Sequence, residues 1–593
     1  MSDVKLKIND IEVTVPKGTT ILDAAKKLNV KIPTLCNHDD LCVAGNCRVC
    51  VVEQIGARTL QASCCVPVGE GMQIYTNSAK VRKARQNTIA LLLSEHNNDC
   101  LRCAKNGNCE LQSLSSEYAV DANKYLSVLT ESVIDLSSPS IQKDDSKCIR
   151  CQRCVRTCAE LQDVNALTVA HKGKDMKIST FFDKPMHYVV CTNCGQCINR
   201  CPTGALTERN YIEEVWSALE DPTKHVVVQE APAVRVGLGE ALGYDPGERV
   251  TGKMVTALKR LGFDAVFDTN FTADLTILEE GTELLVRLKK ALVDKEKVAL
   301  PQFTSCSPGW IKYMEHEFPE IIDNISTCKS PQQMFGSLAK TYYAQKANID
   351  PKDMVVVSIM PCTAKKFESG RPEMNDSGYQ DVDYVLTTRE LGKMIKQAGI
   401  EFKELEETEC DSLLGKHTGA AVIFGATGGV MEAALRTAYE IVTGKEVPFE
   451  NLNIMPVRGM EGVREASIKL EGCVDDWKFL EGVEAKVAIA HGLVNARKVS
   501  QQVVDGTSPY HFIEVMACPG GCLGGGGQPI PTNMEIRKKR MSAIYAEDEA
   551  LPLRKSHQNP EVDRIYKDFL TEGPCGHKSH ELLHTHYTTR KKY

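Results

Sequence analysis

Two copies of one cysteine spacing constrain this chain more than anything else in it: Cys148-x2-Cys151-x2-Cys154-x3-Cys158 and Cys191-x2-Cys194-x2-Cys197-x3-Cys201-Pro202. Eight thiolates in this doubled arrangement suit a pair of 4Fe-4S clusters in which the fourth cysteine of each run serves the other cluster. That assigns Cys148, Cys151, Cys154 and Cys201 to one cluster, and Cys191, Cys194, Cys197 and Cys158 to its neighbour. Structural zinc is the plainer alternative, but it does not call for the duplication. The chain holds 25 cysteines in 593 residues and has no signal-peptide core near its N-terminus, so we expect a cytoplasmic protein with thiols ligating metal rather than forming disulfides. No run of 18 or more apolar residues is present, and no membrane span is expected. A net charge of -7 with 25% charged residues argues against nucleic acid as a partner.

The length suggests about four domains, and the motifs divide the chain further. Residues 1–80 open with Val4–Ile8, a turn at Asn9-Asp10 and Ile11–Val15, which alternate as a β-hairpin. A helix follows, capped by Thr19 or Thr20, with Ile21, Leu22, Ala24, Ala25 and Leu28 as its apolar stripe. Cys36, Cys47, Cys50 and Cys64 then suit a 2Fe-2S cluster. The pattern resembles plant-type β-grasp ferredoxins, although the first cysteine gap is longer here. Cys42 and Cys65 are left over and read as small packed residues. Residues 81–125 start with a helix over 81–93 and carry His96, Cys100, Cys103 and Cys109, a set open to zinc or to a 4Fe-4S cluster with one imidazole ligand; the neighbouring cluster motifs favour iron. Residues 138–210 hold the doubled run. From 222 to 535 strands and helices alternate, which predicts an α/β region of two lobes: strands at His225–Gln229, Met354–Met360 and Ala420–Phe424, and a helix at Gly252–Leu261. The turn Gly425–Gly429 fits neither the dinucleotide fingerprint nor the P-loop. Residues 536–593 form a polar helical tail in which His577, His580, His584 and His586 with Cys575 offer metal ligands, but which reads first as a solvated segment wrapped on the core.

Three cysteine-bearing stretches lie in the α/β region: Phe303–Trp310, Met360–Glu368, and Met516–Pro529, where the glycines would let backbone approach a bulky ligand at the carboxyl end of a strand. Together, and in this order after the upstream cluster modules, they resemble the signature stretches of the iron-iron hydrogenases of the long clostridial and multisubunit NAD(P)-linked type. The resemblance extends over the whole chain. It implies an H-cluster, a 4Fe-4S unit joined to a diiron unit carrying CO, cyanide and an azadithiolate, and a catalytic subunit for H2 = 2 H+ + 2 e-. Electrons would pass through one 2Fe-2S and three 4Fe-4S clusters to a ferredoxin or to flavin- and NAD(P)-binding partner subunits. Maturation factors would supply the diiron unit.

Carried over residue by residue, the resemblance makes Cys362, Cys518 and Cys522 ligands of the 4Fe-4S unit, with Cys522 bridging, and Lys365 the donor to a cyanide. Met360, Met516, Pro232 and Ser330 would pack around the diiron unit, and Ala233 stands where some relatives have Ser. Glu280, Glu283, Ser326 and Cys306 match the family's proton path; from the sequence alone Glu280 and Glu283, three apart on a helix, read as a solvated face. One departure stands out. Relatives often have two adjacent cysteines before Pro-Gly-Trp, a proton relay and then an iron ligand, and here the pair is Cys306-Ser307. Register makes Cys306 the relay, whereas thiolate chemistry makes it the ligand. Two rival readings, an electron-wiring component of an NADH:quinone oxidoreductase type and a non-catalytic iron-sulfur assembly protein, need no Lys365, Met360, Met516 and proton path together.

Overall fold

The computed structural model describes residues 3–127 and 133–592, so the outermost residues of the first and last expected domains, 1, 2 and 593, lie outside the described residues. The chain divides into two compact units. The first comprises residues 1–160, 165–189 and 200–207, the second 161–164, 190–199 and 208–593.

In the first unit the hairpin forms as its alternation dictates. Asp3–Ile8 pairs antiparallel with Ile11–Pro16 through a turn whose Asn9 and Asp10 both have positive φ (50° and 66°), the conformation a two-residue hairpin turn needs. Val4, Leu6, Ile8, Val13 and Val15 point into one core. Three further short strands complete a five-stranded sheet, with Gln73–Tyr75 parallel to the first strand. The helix Ile21–Lys27 is capped by Thr20, whose Oγ accepts the Asp23 N–H at 3.1 Å.

Two four-stranded sheets organise the second unit. One is wholly parallel, in the order Ala265–Asp268, His225–Glu230, Met354–Met360, Tyr384–Thr387. The other runs Gln302–Phe303, Phe512–Met516, Glu484–His491 in parallel and closes with an antiparallel edge strand, Val463–Lys469. These sheets are the two α/β lobes. The central strands are rich in Val, Ile and Met, as strands buried on both faces of a parallel sheet are, with Gln229, Glu230, Ser358 and Glu514 as buried polar exceptions.

Two expectations fail here. Ala420–Phe424 is not a strand: Gly419–Val422 is helical and Ile423–Gly425 a 3-10 turn, because a short buried apolar run carries no periodicity to separate helix from strand. The glycines after it serve chain packing, since a Cβ on Gly429 would lie 1.7 Å from the Ile423 carbonyl oxygen and one on Gly428 2.0 Å from that of Val457. Nor is the C-terminal segment merely solvated. Val562, Ile565, Leu570, Leu582 and Leu583 are buried in the core around the first sheet, so the tail supplies core residues that its polar composition concealed.

Candidate active site

The carboxyl ends of four parallel strands in the second unit converge. His225–Glu230 runs into Ala231-Pro232-Ala233, Met354–Met360 into Pro361-Cys362, Phe512–Met516 into Ala517-Cys518, and Gln302–Phe303 into Thr304–Ser307. These ends line one cavity whose surface is almost wholly apolar and whose reactive side chains are Cys194, Cys306, Cys362, Cys518, Cys522 and Lys365. Pro232, Ala233, Met360 and Met516 form part of the apolar wall. Ligand crevices at strand carboxyl ends are the rule for sheets of this kind.

Local chemistry explains the convergence. The loop after Cys518 folds against two other segments at backbone distance: a Cβ on Gly525 would lie 2.1 Å from the Pro361 carbonyl oxygen, and one on Gly526 2.3 Å from that of Cys194. The glycine run thus draws three cysteine-bearing segments together, a different task from admitting a ligand directly. Gln196 Nε2 and Asn199 Nδ2 donate to the carbonyls of Gly524 and Gly525 at 2.8 and 2.9 Å, fixing the same approach from the side.

The donor set fits a cationic metal centre. Burial, followed by the proximity of Cys362, pushes the Cys522 thiol up to about 12, and burial followed by Cys362 and Cys194 raises Cys518 well above the ordinary thiol value. Converging buried thiols that oppose one another's ionisation become thiolates only where metal supplies the positive charge. Cys194 sits at the same cavity, its thiol pushed up to about 11 by burial.

Lys365 lines the cavity, but its ammonium already has an anionic partner that sequence reasoning missed: Nζ donates to Glu368 Oε2 at 2.9 Å. The same oxygen accepts from Ser330 Oγ at 2.9 Å and Gln332 Nε2 at 3.1 Å. Ser330 therefore acts through Glu368 and does not line the cavity wall. The i, i+3 spacing of Lys365 and Glu368 was the available signal.

Glu280 and Glu283 are buried (1% and 9% exposed), which overturns the solvated-face reading. Burial first, and then Glu283, pushes the Glu280 carboxyl up to about 8. Its Oε1 accepts the Ser305 N–H at 3.2 Å, while Oε2 is buried without a hydrogen-bond partner. Ser326 Oγ donates to Glu283 Oε2 at 2.6 Å. Glu283 Oε1 in turn accepts from Arg287 Nη2 at 2.7 Å, and both side chains line a surface pocket. Arg287, four residues on, is a further member that the sequence reading omitted. At the inner end Cys306 lines the cavity, and burial followed by Glu280 raises its thiol far above the ordinary value. Ser307 lines the same cavity, its Oγ accepting the Ala517 N–H at 3.2 Å beside Cys518.

In the first unit the remaining expected ligands gather in groups. Cys36 Sγ accepts the Cys47 N–H at 3.4 Å, and Cys50 Sγ lies 3.4 Å from Cys64 Sγ. A hydrogen bond from the Cys47 thiol is the main cause holding the Cys36 thiol below its ordinary value. Cys148, Cys151, Cys154 and Cys201 line one small pocket. Around His96, burial holds the imidazole neutral, with its pKa lowered to about 4, and Nδ1 is buried without a partner, the state of a nitrogen placed to ligate metal. Cys109 feels Cys103 and Cys100 electrostatically, and Gly204 leaves room for Cys103, whose Sγ a Cβ there would meet at 2.6 Å. Cys158 belongs to the first unit, whereas Cys191, Cys194 and Cys197 belong to the second. Cys42 and Cys65 are exposed, not packed: the Cys42 thiol donates to Glu160 Oε1 at 2.7 Å, and Cys65 Sγ lies 3.5 Å from Cys64 Sγ.

Comparisons with known proteins place the domains that surround this cavity in known families. Residues 224–526 match the C-terminal domain of the iron-only hydrogenase large subunit, and residues 534–590 match the iron hydrogenase small subunit. Upstream, residues 2–79 match a 2Fe-2S iron-sulfur cluster binding domain, 85–124 the NADH-ubiquinone oxidoreductase-G iron-sulfur binding region, and 138–207 the ferredoxin-like domain of NADH-quinone oxidoreductase subunit 3. The chain belongs to the iron-iron hydrogenase family. It is 50% identical to the NADP-reducing hydrogenase subunit HndD of Solidesulfovibrio fructosivorans over the full length of both chains. Iron hydrogenase 1 of Clostridium pasteurianum is 40% identical over 98% of this chain and 99% of its own. Among solved structures, an apo HydA1 variant from Chlamydomonas reinhardtii is 45% identical with a TM-score of 0.58, covering 65% of this chain and 100% of that one. Among the described residues no helix is long and apolar enough to cross a membrane.

Proposed function

We propose that this chain is the hydrogen-activating subunit of an electron-relaying complex, interconverting H2 with protons and electrons in the cavity bounded by Cys362, Cys518 and Cys522. The observation that carries the reading is the convergence of these cysteines with Lys365, Met360 and Met516 beside a buried acid-base chain leading outward. Cys362, Cys518 and Cys522 would hold the 4Fe-4S part of an H-cluster, and Pro232, Met360 and Met516 would wall its diiron part. When bound, that cofactor supplies low-valent iron for heterolysis of H2. The apolar wall excludes water, so protons move only where side chains carry them. Glu283 takes a proton at the surface pocket and hands it through the Ser326 hydroxyl to Glu280, which is neutral at pH 7 and able to donate towards the Cys306 thiol. The Ser326–Glu283 hydrogen bond is the formed link of this path; Glu280 Oε2, buried without a partner, is the atom left open for the next transfer, and general acid-base groups pass protons only within such reach. Cys306 is the relay in this reading, and the Ser307 hydroxyl takes the place beside Cys518.

Cys194, with Cys191 and Cys197, would hold the accessory cluster nearest the cavity. In the first unit, Cys148, Cys151, Cys154 and Cys201, then His96, Cys100, Cys103 and Cys109, and finally Cys36, Cys47, Cys50 and Cys64 would hold the others, for about 20 iron atoms in all. The upstream domains of NADH-oxidoreductase type and the likeness to part of an NADP-reducing hydrogenase favour a nucleotide-binding partner over a free ferredoxin. Infrared spectroscopy of protein produced with hydrogenase maturation factors tests the reading. CO and cyanide bands should appear, and should be missing from protein produced without those factors; matured, iron-replete protein without such bands would overturn it.

A further inference from the structure

The C-terminal tail returns to the helix Thr269–Lys289 at a cluster of soft and hard donors that plays no part in the chemistry above. One donor atom each from Glu279, Cys575 and His584 lies within 4.8 Å of the other two. Glu279 and His584 are buried, and Cys575 is half-buried. His584 Nε2 is 3.2 Å from Glu279 Oε2. The atoms not offered to a common centre are held from outside. Tyr566 donates to Glu279 Oε1 at 2.6 Å, and His584 Nδ1 lies 2.7 Å from Thr327 Oγ1. Cys575 is tied to Glu279 by its own N–H, which donates to Oε2 at 2.6 Å, and by its Sγ, 3.4 Å from the Glu279 carbonyl oxygen.

Outer partners of this kind fix the tautomer and orientation of metal-ligating histidines and carboxylates. Thiolate, imidazole and carboxylate together suit a borderline-soft divalent ion, with one position left for water. Cys575 also lines the surface pocket that contains His580 and Glu283, so an ion has a route inward. A second trio, Glu283, Cys328 and His584, shares the imidazole but uses its other side, where Thr327 already occupies Nδ1 and Cys328 Sγ stands 4.0 Å away. A bare Glu–His pair pinning the tail would explain Glu279 and His584. It would leave unexplained why a cysteine in the loop after Leu570 is held by its backbone against the same carboxylate.

We propose that Glu279, Cys575 and His584 form a binding site for a zinc-class divalent ion, which fastens the C-terminal tail to the helix bearing Glu280 and Glu283. This inference is independent of the hydrogen chemistry. The test uses anaerobically purified full-length holoprotein dialysed to equilibrium against buffered Zn2+, with zinc, iron and sulfide counted and the zinc X-ray absorption edge recorded. One zinc per chain is expected, with a single sulfur among nitrogen and oxygen neighbours. Cys575→Ser and His584→Gln should each lose it, while Tyr566→Phe should weaken binding about 10- to 100-fold with iron and sulfide unchanged. Because Cys575 is half-buried, Cys575→Ser decides the matter even if the His584 variant does not fold. Equal zinc in wild type and Cys575→Ser would overturn the proposal, as would a sulfur-only shell, which marks zinc lodged in a cluster site.

Discussion

Glu280→Gln separates the proton-holding state of this residue from its packing. The side chain is buried beside Glu283 and Glu514, and its carboxyl is raised from 4.5 to about 8, chiefly by burial. Across that window the folded chain keeps a proton that the unfolded chain has released, so stability is fully present below pH 4.5 and falls as pH rises through 8. At roughly 1.4 kcal/mol per pKa unit, the loss attributable to this one group approaches about 5 kcal/mol. Gln has nearly the same shape and cannot ionise. Relative to wild type, the variant should therefore gain stability from pH 5 to about 8 and level off above it, on top of any constant offset from its own hydrogen bonds. Over pH 5 to 9 the change is about 4 kcal/mol, and for a unit of roughly 400 residues, with an unfolding entropy of about 2.1 cal/mol/K per residue, the gap between calorimetric midpoints should widen by about 5 °C. Anaerobic calorimetry of both proteins at matched iron content measures it. Turnover in the variant should fall at least about 100-fold, because an amide can accept and donate but cannot carry a proton onward. Midpoint curves that run parallel from pH 5 to 9 would refute the reasoning, since they would mean the carboxyl is not held protonated.

Other expectations are shorter. Glu283→Gln should lower H2 turnover by orders of magnitude with iron content and infrared bands near normal, as should breaking its Arg287 contact to a lesser degree; turnover assays on spectroscopically intact protein check both. Cys306→Ala should leave a complete set of infrared bands on a poorly active protein if Cys306 is the relay, whereas loss of the bands would move the ligand role from Ser307 to Cys306. Cys194→Ala should impair electron exchange with external acceptors but spare H/D exchange on H2, and Cys522→Ala should abolish that exchange.

Much of this was legible in the sequence because spacing and alternation are local. The hairpin around Asn9-Asp10, the Thr20 cap, the strand ending at Met360 and the doubled cysteine run each follow from a few neighbouring residues. What stayed hidden depends on neighbours far along the chain. Glu280 and Glu283 look like a wet helix face until Ser326, Cys328 and the tail cover them. Glu368 belongs to the same short stretch as Lys365, yet its role is invisible there, since only the fold shows Ser330 and Gln332 meeting at its carboxylate. Ala420–Phe424 misled for the opposite reason: its apolar content is real, but burial on all sides erases the period that would distinguish a helix. For Cys42 and Cys65 the average behaviour of cysteine predicts packing, but their exposure is set by loops whose course the spacing does not encode.

The segment 190–199 clusters with the hydrogen-activating body, and its Gln196 and Asn199 brace the glycine loop that follows Cys518. Sequence modules and mechanical parts therefore have different seams in this molecule. An engineer who trims the electron-delivery modules at the start of the α/β region would take away a strut of the catalytic pocket along with the wiring. The natural place to graft a foreign relay lies upstream of residue 138, so that both cysteine runs and the brace stay together and the transplanted donor inherits them instead of replacing them.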